Sequence, residues 1–200
     1  MKLYTSTGSP FARKCRIVAR EKAVEVEEVA LDFPYKGPQY VSLNPVGQVP
    51  ALELDDGGVL TNSPVIAAWL DAHSDGSRLL PPESAGEAHW RVRRLETLGD
   101  QINEMTVKLV LEHRRPETQR SPAWIEAWSA ALTRGLDHAE ALAGDSGAGL
   151  LDLGVITLAI AATYVGFRRP DVDWRAGRPE LTRLTETLEA RPSFIATYPR

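Results

Sequence analysis

Cysteine is almost absent from this chain, with Cys15 alone among 200 residues. A single thiol cannot close an internal disulfide, and such scarcity suits a reducing compartment. Also missing is any apolar run near the roughly 18 residues of a membrane span. The opening Met1-Lys2-Leu3-Tyr4 lacks the apolar stretch of a signal peptide. The expectation is a soluble, cytoplasmic protein with no membrane partner. Neither sign of charge dominates: 23 Lys plus Arg stand against 27 Asp plus Glu, for a net −4. Divided at Pro81-Pro82, the chain has 8 basic and 10 acidic residues before that point and 15 and 17 after it, −2 on each side. No basic face is large enough for a nucleic-acid groove. His73, His89, His113 and His138 show no metal-ligand spacing, so no metal is expected. No phosphate-binding glycine loop or nucleophile elbow occurs either.

What is present is ordinary globular composition, 43% hydrophobic and 25% charged, at a length that allows one large domain or two small ones. The first eighty residues change period repeatedly. Lys2 to Thr5 is a short strand. Phe11, Cys15, Val18 and Ala19 fall on one helical face. Val24 to Leu31 alternates as a second strand, and a Pro/Gly-rich loop fills Phe33 to Pro50. Ala51 to Leu54, the turn Asp55-Asp56-Gly57-Gly58, and Val59-Leu60 make a hairpin, followed by a helix carrying Val65, Ile66, Trp69 and Leu70. A helix between the first two strands implies that they run parallel.

After Pro81-Pro82 the pattern is helical throughout. Leu95, Leu98, Ile102, Met105 and Leu109 form a long seam at 3,4 spacing, and Trp124 to Leu142 carries the next helix. Leu153 to Phe167 is apolar nearly all round and reads as a buried central helix, with Asp152 as its cap. Leu181, Leu184 and Leu188 make the last helix before a Pro-rich tail. The fold class is therefore α/β followed by all-α: residues 1–80, a linker at 81–86, and a helical bundle domain at 87–200.

Three helices open on the same dipeptide, Ser9-Pro10, Ser63-Pro64 and Ser121-Pro122. Serine caps well, and proline at the first helical position gives up an N–H that would be unpaired anyway. The third copy lies in the all-helical part, away from any expected chemistry, so capping alone explains all three. The first two also follow strands, where a helix N-terminus with free N–H groups suits an anion. Ser9 can cap through a lone pair while its O–H donates outward.

Thr7-Gly8-Ser9-Pro10-Phe11-Ala12-Arg13-Lys14 resembles the start of a bacterial glutathione transferase of the branch with Ser-Pro-Phe at the first helix. Asn44-Pro45-Val46-Gly47-Gln48-Val49-Pro50-Ala51-Leu52, Leu60-Thr61-Asn62-Ser63-Pro64-Val65-Ile66 and Arg191-Pro192-Ser193-Phe194 resemble later parts of the same family. The resemblance implies an N-terminal thioredoxin-like domain that binds glutathione as co-substrate. It also implies a C-terminal helical domain that contributes the pocket for a small electrophile, and a homodimer. It makes Val49-Pro50 a cis-proline turn whose Val49 backbone pairs with the cysteinyl part of glutathione, and places Phe11 in the same site. Ser63 matches the residue that binds the γ-glutamyl carboxylate. Asn62 stands where the family has Glu or Asp, so the charge opposing the γ-glutamyl ammonium is missing. Lys36 is a candidate for the glycyl carboxylate.

Ser9 matches a position that other classes fill with cysteine, so disulfide chemistry gives way to stabilising a thiolate on the ligand. Thr7, Ser6 and Tyr4 are rival donors. Cys15 sits on the core stripe of the first helix. The leading expectation is glutathione transfer to an electrophile, with Ser9 catalytic. The alternatives are a transferase-like binding or regulatory protein with little turnover, and glutathione-dependent dehalogenation or ether cleavage.

Overall fold

The structure, a computed structural model, describes residues 1–32, 37–145 and 150–200. Its first strand, β1 (Lys2–Thr5), leads into α1 (Pro10–Glu21) and back to β2 (Glu27–Ala30). These strands pair in parallel, Leu3 opposite Glu28, because the intervening helix returns the chain to the same end of the sheet. Only Glu27–Ala30 of the alternating stretch from Val24 to Leu31 is strand; Ala23 turns at φ 50° after the helix. Next come α2 (Pro38–Leu43), the hairpin β3 (Ala51–Glu53) with β4 (Val59–Thr61), and α3 (Ser63–Ala72). The sheet order is β2-β1-β3-β4, with β3 antiparallel to both neighbours.

The hairpin turn works through local chemistry. Gly57 adopts φ 85°, and Asp56 Oδ1 accepts from the Gly58 N–H at 2.9 Å. On one face of the sheet Leu3 and Leu52 sit opposite each other, wholly buried with Cys15, Ile17, Val18, Ile66 and Leu70 of α1 and α3. The other face carries a smaller cluster of Tyr40, Val49 and Ala51, with Tyr4, Leu31 and Val59 against it. Helix α2 supplies Tyr40. The sequence reading leaves this stretch as loop, since six residues with one buried side chain show no period.

The helical part comprises α4 (Glu87–Arg114), α5 (Pro122–Asp145), α6 (Leu153–Arg168) and α7 (Pro179–Glu189). Helix α6 is buried from Leu153 to Val165, and Asp152 caps it by accepting the Val155 N–H at 2.9 Å. Arg91 is hydrogen-bonded to the other oxygen of the same carboxylate. The seam of α4 differs from expectation. Leu95, Ile102 and Leu109 are buried, but Leu98 and Met105 are only half-buried, and Gly99, Asn103 and Thr106 take the inner face. The reason is closeness: a Cβ on Gly99 would meet the Thr157 carbonyl at 2.8 Å, and one on Gly154 would meet Leu95 Cβ at 2.6 Å. Two helices approaching that closely want small residues between them.

The chain divides into two compact units, Met1–Leu80 with Arg191–Arg200, and Pro81–Ala190. The tail therefore belongs to the first unit, whereas a helical domain running to residue 200 was expected. It forms a short helix, α8 (Pro192–Ala196), whose Phe194 is fully buried against that unit.

Candidate functional site

Strand register collects the candidate residues. Tyr4 lies opposite Ala51, and Ala51 opposite Thr61. The C-terminal end of β1, the N-terminal end of β3 and the C-terminal end of β4 therefore lie together at one end of the sheet. From them run, respectively, the turn to Ser9, the Val49-Pro50 pair, and Asn62-Ser63. Side chains as distant in sequence as Ser9 and Ser63 thus belong to one region, with two helix N-termini pointing at it.

At the first, the Ser9 N–H donates to the Ser6 carbonyl at 3.1 Å, which closes the turn. Ser9 sits at φ −94°, ψ 122°, and its Oγ accepts the Ala12 N–H at 3.2 Å. That bond uses one lone pair and leaves the hydroxyl proton to donate elsewhere. Phe11 and Ser6 are half-buried and Thr7 is exposed. Tyr4, the fourth possible donor, is committed: its O–H donates to Glu53 Oε2 at 2.8 Å. Burial, with the Glu53 carboxylate beside it, raises its pKa, so the phenol stays protonated.

The Val49–Pro50 bond is cis, as the motif implied. Its approach is braced by two residues whose role sequence reasoning missed. Asn44, 5% exposed, donates from Nδ2 to the Gln48 carbonyl at 2.6 Å and accepts the Val46 N–H at 3.3 Å. The Tyr40 hydroxyl is hydrogen-bonded to the same Gln48 carbonyl. Gly47 turns at φ 66°, a conformation that glycine reaches without a Cβ penalty. An Asn ahead of Pro-x-Gly was the available signal for Asn44. Tyr40 had none, because its helix was invisible.

The third loop breaks the pattern of the three Ser-Pro pairs. Ser121 caps as Ser9 does, accepting the Trp124 N–H at 3.4 Å. Ser63 does not. It is the first helical residue rather than the cap, a place taken by Asn62. Asn62 stands at φ 72°, in the left-handed region that asparagine tolerates better than most residues, and its side chain makes no capping bond. Ser63 is 1% exposed, and its hydroxyl is buried with no hydrogen-bond partner. Thr5 Oγ1, at the end of β1, is likewise buried and unpartnered. Beneath lies Cys15, fully buried, whose thiol donates to the Ser63 carbonyl at 3.7 Å. Lys36 falls outside the described residues. No group of three or more His, Cys, Asp or Glu among the described residues could hold a metal ion. No helix among them is long and apolar enough to cross a membrane.

A mixed four-stranded sheet with a cis-proline ahead of its third strand, followed by a helical unit, defines a thioredoxin-like domain joined to an all-helical partner. A family model, the N-terminal domain of glutathione S-transferase, matches residues 8–73. The chain is 33% identical to the uncharacterized GST-like protein YibF of Escherichia coli K12 over 100% of its own length and 98% of that protein's. Glutathione S-transferase 3 of Zea mays is 31% identical over 98% of this chain and 92% of its own. Among solved structures, a glutathione transferase family member from Pseudomonas fluorescens Pf-5, with bound S-(propanoic acid)-glutathione, superposes with a TM-score of 0.90 at 32% identity over 100% of both chains. One from Methylobacillus flagellatus with glutathione bound superposes at 0.92 and 32%, over 100% of this chain and 99% of that one. The chain belongs to the glutathione S-transferase family.

Proposed function

We propose that this protein is a glutathione transferase of the Ser-Pro-Phe branch that activates the thiol of glutathione for attack on a small electrophile. A free thiol titrates near 8.5, and a donor hydroxyl with a helix N-terminus favours its anion. Ser9 is suited to both parts: it caps α1 through a lone pair while its O–H donates to the sulfur. Ser6 and Thr7 lie on the same turn and are the remaining rivals. The thiol proton leaves to solvent, the sulfur bonds the electrophilic carbon, and a leaving group such as halide departs with the bonding electrons.

The Ser63 hydroxyl is the observation that carries this reading. Of three serines in the same dipeptide, two are satisfied by capping, and the third is buried without a partner at the start of α3. A γ-glutamyl carboxylate at that helix N-terminus would accept its proton. Val49 is proposed to pair through its backbone with the cysteinyl part of glutathione, Pro50 to hold that turn, and Phe11 to flank the site. Lys36 is proposed to meet the glycyl carboxylate. Asn62 offers an amide oxygen to the γ-glutamyl ammonium without a full charge. A cytoplasmic location and a homodimeric state are part of the same proposal, and the resemblance to the family supports them.

A second reading has its own support. Maleylacetoacetate isomerase of Pseudomonas aeruginosa is 28% identical over 100% of this chain and 96% of its own. The same thiolate could add to an unsaturated acid, allow rotation and be expelled unchanged. The test is retention on immobilised glutathione, then turnover of an aryl halide and of a cis-unsaturated diketo acid. Failure to bind glutathione refutes both readings, and binding without either turnover leaves a binding or regulatory protein. Ser9→Ala should lose most activity. Circular dichroism must accompany it, because losing a cap alone destabilises by about 0.5–2 kcal/mol.

A further inference from the structure

Helix α1, which presents Ser9, is fastened along its length by the last ten residues of the chain. At its C-terminal end Glu21 accepts from Arg191 Nε at 2.9 Å, from Arg191 Nη2 at 2.6 Å, and from the Ser193 hydroxyl. Toward the other end Arg13 Nη2 donates to the Phe194 carbonyl at 3.1 Å. The Arg13 guanidinium carbon also lies 5.4 Å from the Phe194 ring centroid and 5.5 Å from that of Tyr198. Glu21 and Arg13 are eight residues apart, so the clasp spans about 12 Å of helix at 1.5 Å per residue, with the tail antiparallel to α1. Arg13 is only 2% exposed. Its backbone N–H donates to the Ser9 carbonyl at 3.0 Å, the bond that closes the first turn.

We propose that Arg13 is a positioning residue for the glutathione thiolate: gripped by Phe194 and Tyr198 of the returning C-terminal segment, it fixes the first turn of α1 and so the direction of the Ser9 hydroxyl. The proposal rests on the glutathione reading and adds to it a part played by residues that never touch the ligand. Direction matters because hydrogen bonds weaken steeply off line, and a displacement of about 1 Å from the productive geometry is enough to lose roughly a hundredfold in rate. The two ends of the clasp therefore have different duties. The Glu21 end secures the tail, while the Arg13 end transmits its position to the site.

The test titrates bound glutathione by ultraviolet thiolate absorbance and measures kcat and KM with an aryl halide. In Arg13→Gln the bound thiol should titrate about one unit higher than in wild type, which is about tenfold less thiolate near neutrality. The kcat should fall by a similar factor, with KM for glutathione changed by less than about threefold. Arg13→Lys, which keeps a charge and a donor for the Phe194 carbonyl, should recover most of both, and Tyr198→Ala should show a smaller shift of the same sign. Glu21→Gln serves as the comparison, since it loosens the tail without touching the first turn. If Glu21→Gln moves the thiol as far as Arg13→Gln, or if Arg13→Gln remains folded with an unshifted thiol, the positioning role is refuted. A wild type that binds glutathione without acidifying it refutes the activation reading, and the positioning role with it.

Discussion

Replacing Ser63 with alanine should separate binding from stability by sign. The hydroxyl is buried without a hydrogen-bond partner, and an unmet buried polar group is unfavourable by about 1–3 kcal/mol. Removing it deletes one oxygen and breaks no bond, while the Ser63 carbonyl still accepts from Cys15. The free protein should therefore be unchanged or more stable by about 1 kcal/mol. At about 2–4 °C per kcal/mol for a chain of this size, the melting midpoint should hold or rise by a few degrees. Glutathione binding should move the other way. A hydrogen bond to a charged acceptor contributes about 1.5–3 kcal/mol, so the dissociation constant should rise about 10- to 150-fold. Ser121→Ala is the matched control: it loses a cap whose Oγ accepts the Trp124 N–H at 3.4 Å, should destabilise by about 0.5–2 kcal/mol, and should leave glutathione binding alone. Thermal melts and isothermal titration of both variants decide the matter. If Ser63→Ala melts as early as Ser121→Ala, or binds glutathione as tightly as wild type, the unpartnered hydroxyl is not the carboxylate ligand.

Other perturbations test the fold and the remaining site residues. Gly99→Ala puts a methyl 2.8 Å from the Thr157 carbonyl and should destabilise by about 1–3 kcal/mol in denaturant titration, whereas Gly144→Ala, whose nearest neighbour is 3.5 Å away, should not. The hydrogen bond from Arg191, helped by Ser193 and opposed by burial, holds the Glu21 carboxyl below its ordinary pKa. Its stabilisation is complete above the unfolded carboxyl's value of about 4.3 and fades as pH falls through the lower folded value, so Glu21→Gln should flatten the acid side of a stability profile. On the proposed placement of the γ-glutamyl ammonium, Asn62→Asp sets a charge opposite it and should tighten glutathione about tenfold by calorimetry; equal or weaker binding would place that ammonium elsewhere.

Whatever depends on a few consecutive residues was legible in the chain. The Asp55-Asp56-Gly57-Gly58 turn announced the hairpin, because a left-handed glycine and an Asp side chain on the following N–H are local devices. The parallel pairing of β1 with β2 followed from the helix between them. Helix α6 declared itself by being apolar all round, and the cis Val49-Pro50 turn by resemblance. Helix α2 escaped notice, since one buried tyrosine in six residues carries no period, and with it went the brace that Tyr40 and Asn44 place on the Gln48 carbonyl.

Ser63 shows where sequence stops being enough. Its dipeptide is identical to those of Ser9 and Ser121, and capping explained all three equally well. Whether such a serine caps or stands as the first helical residue depends on the backbone before it, and Asn62 at φ 72° shifts the helix start by one position. In the same way Leu98 and Met105 looked like core, yet Gly99 and Thr106 occupy the interior because α4 and α6 approach closely enough to exclude larger side chains. The tail carried a Pro-rich composition and the family-like Arg191-Pro192-Ser193-Phe194, and neither said that Arg13 and Glu21 take hold of it. By itself, then, the sequence determined the order of elements, the turns, the family and the absence of any reactive protein thiol at Ser9, all properties of short range or of residue type. Tertiary structure alone decided which hydroxyl is left without a partner, which helix face is buried and where the C-terminus is fastened, because each depends on what chain-distant residues place within a few ångströms.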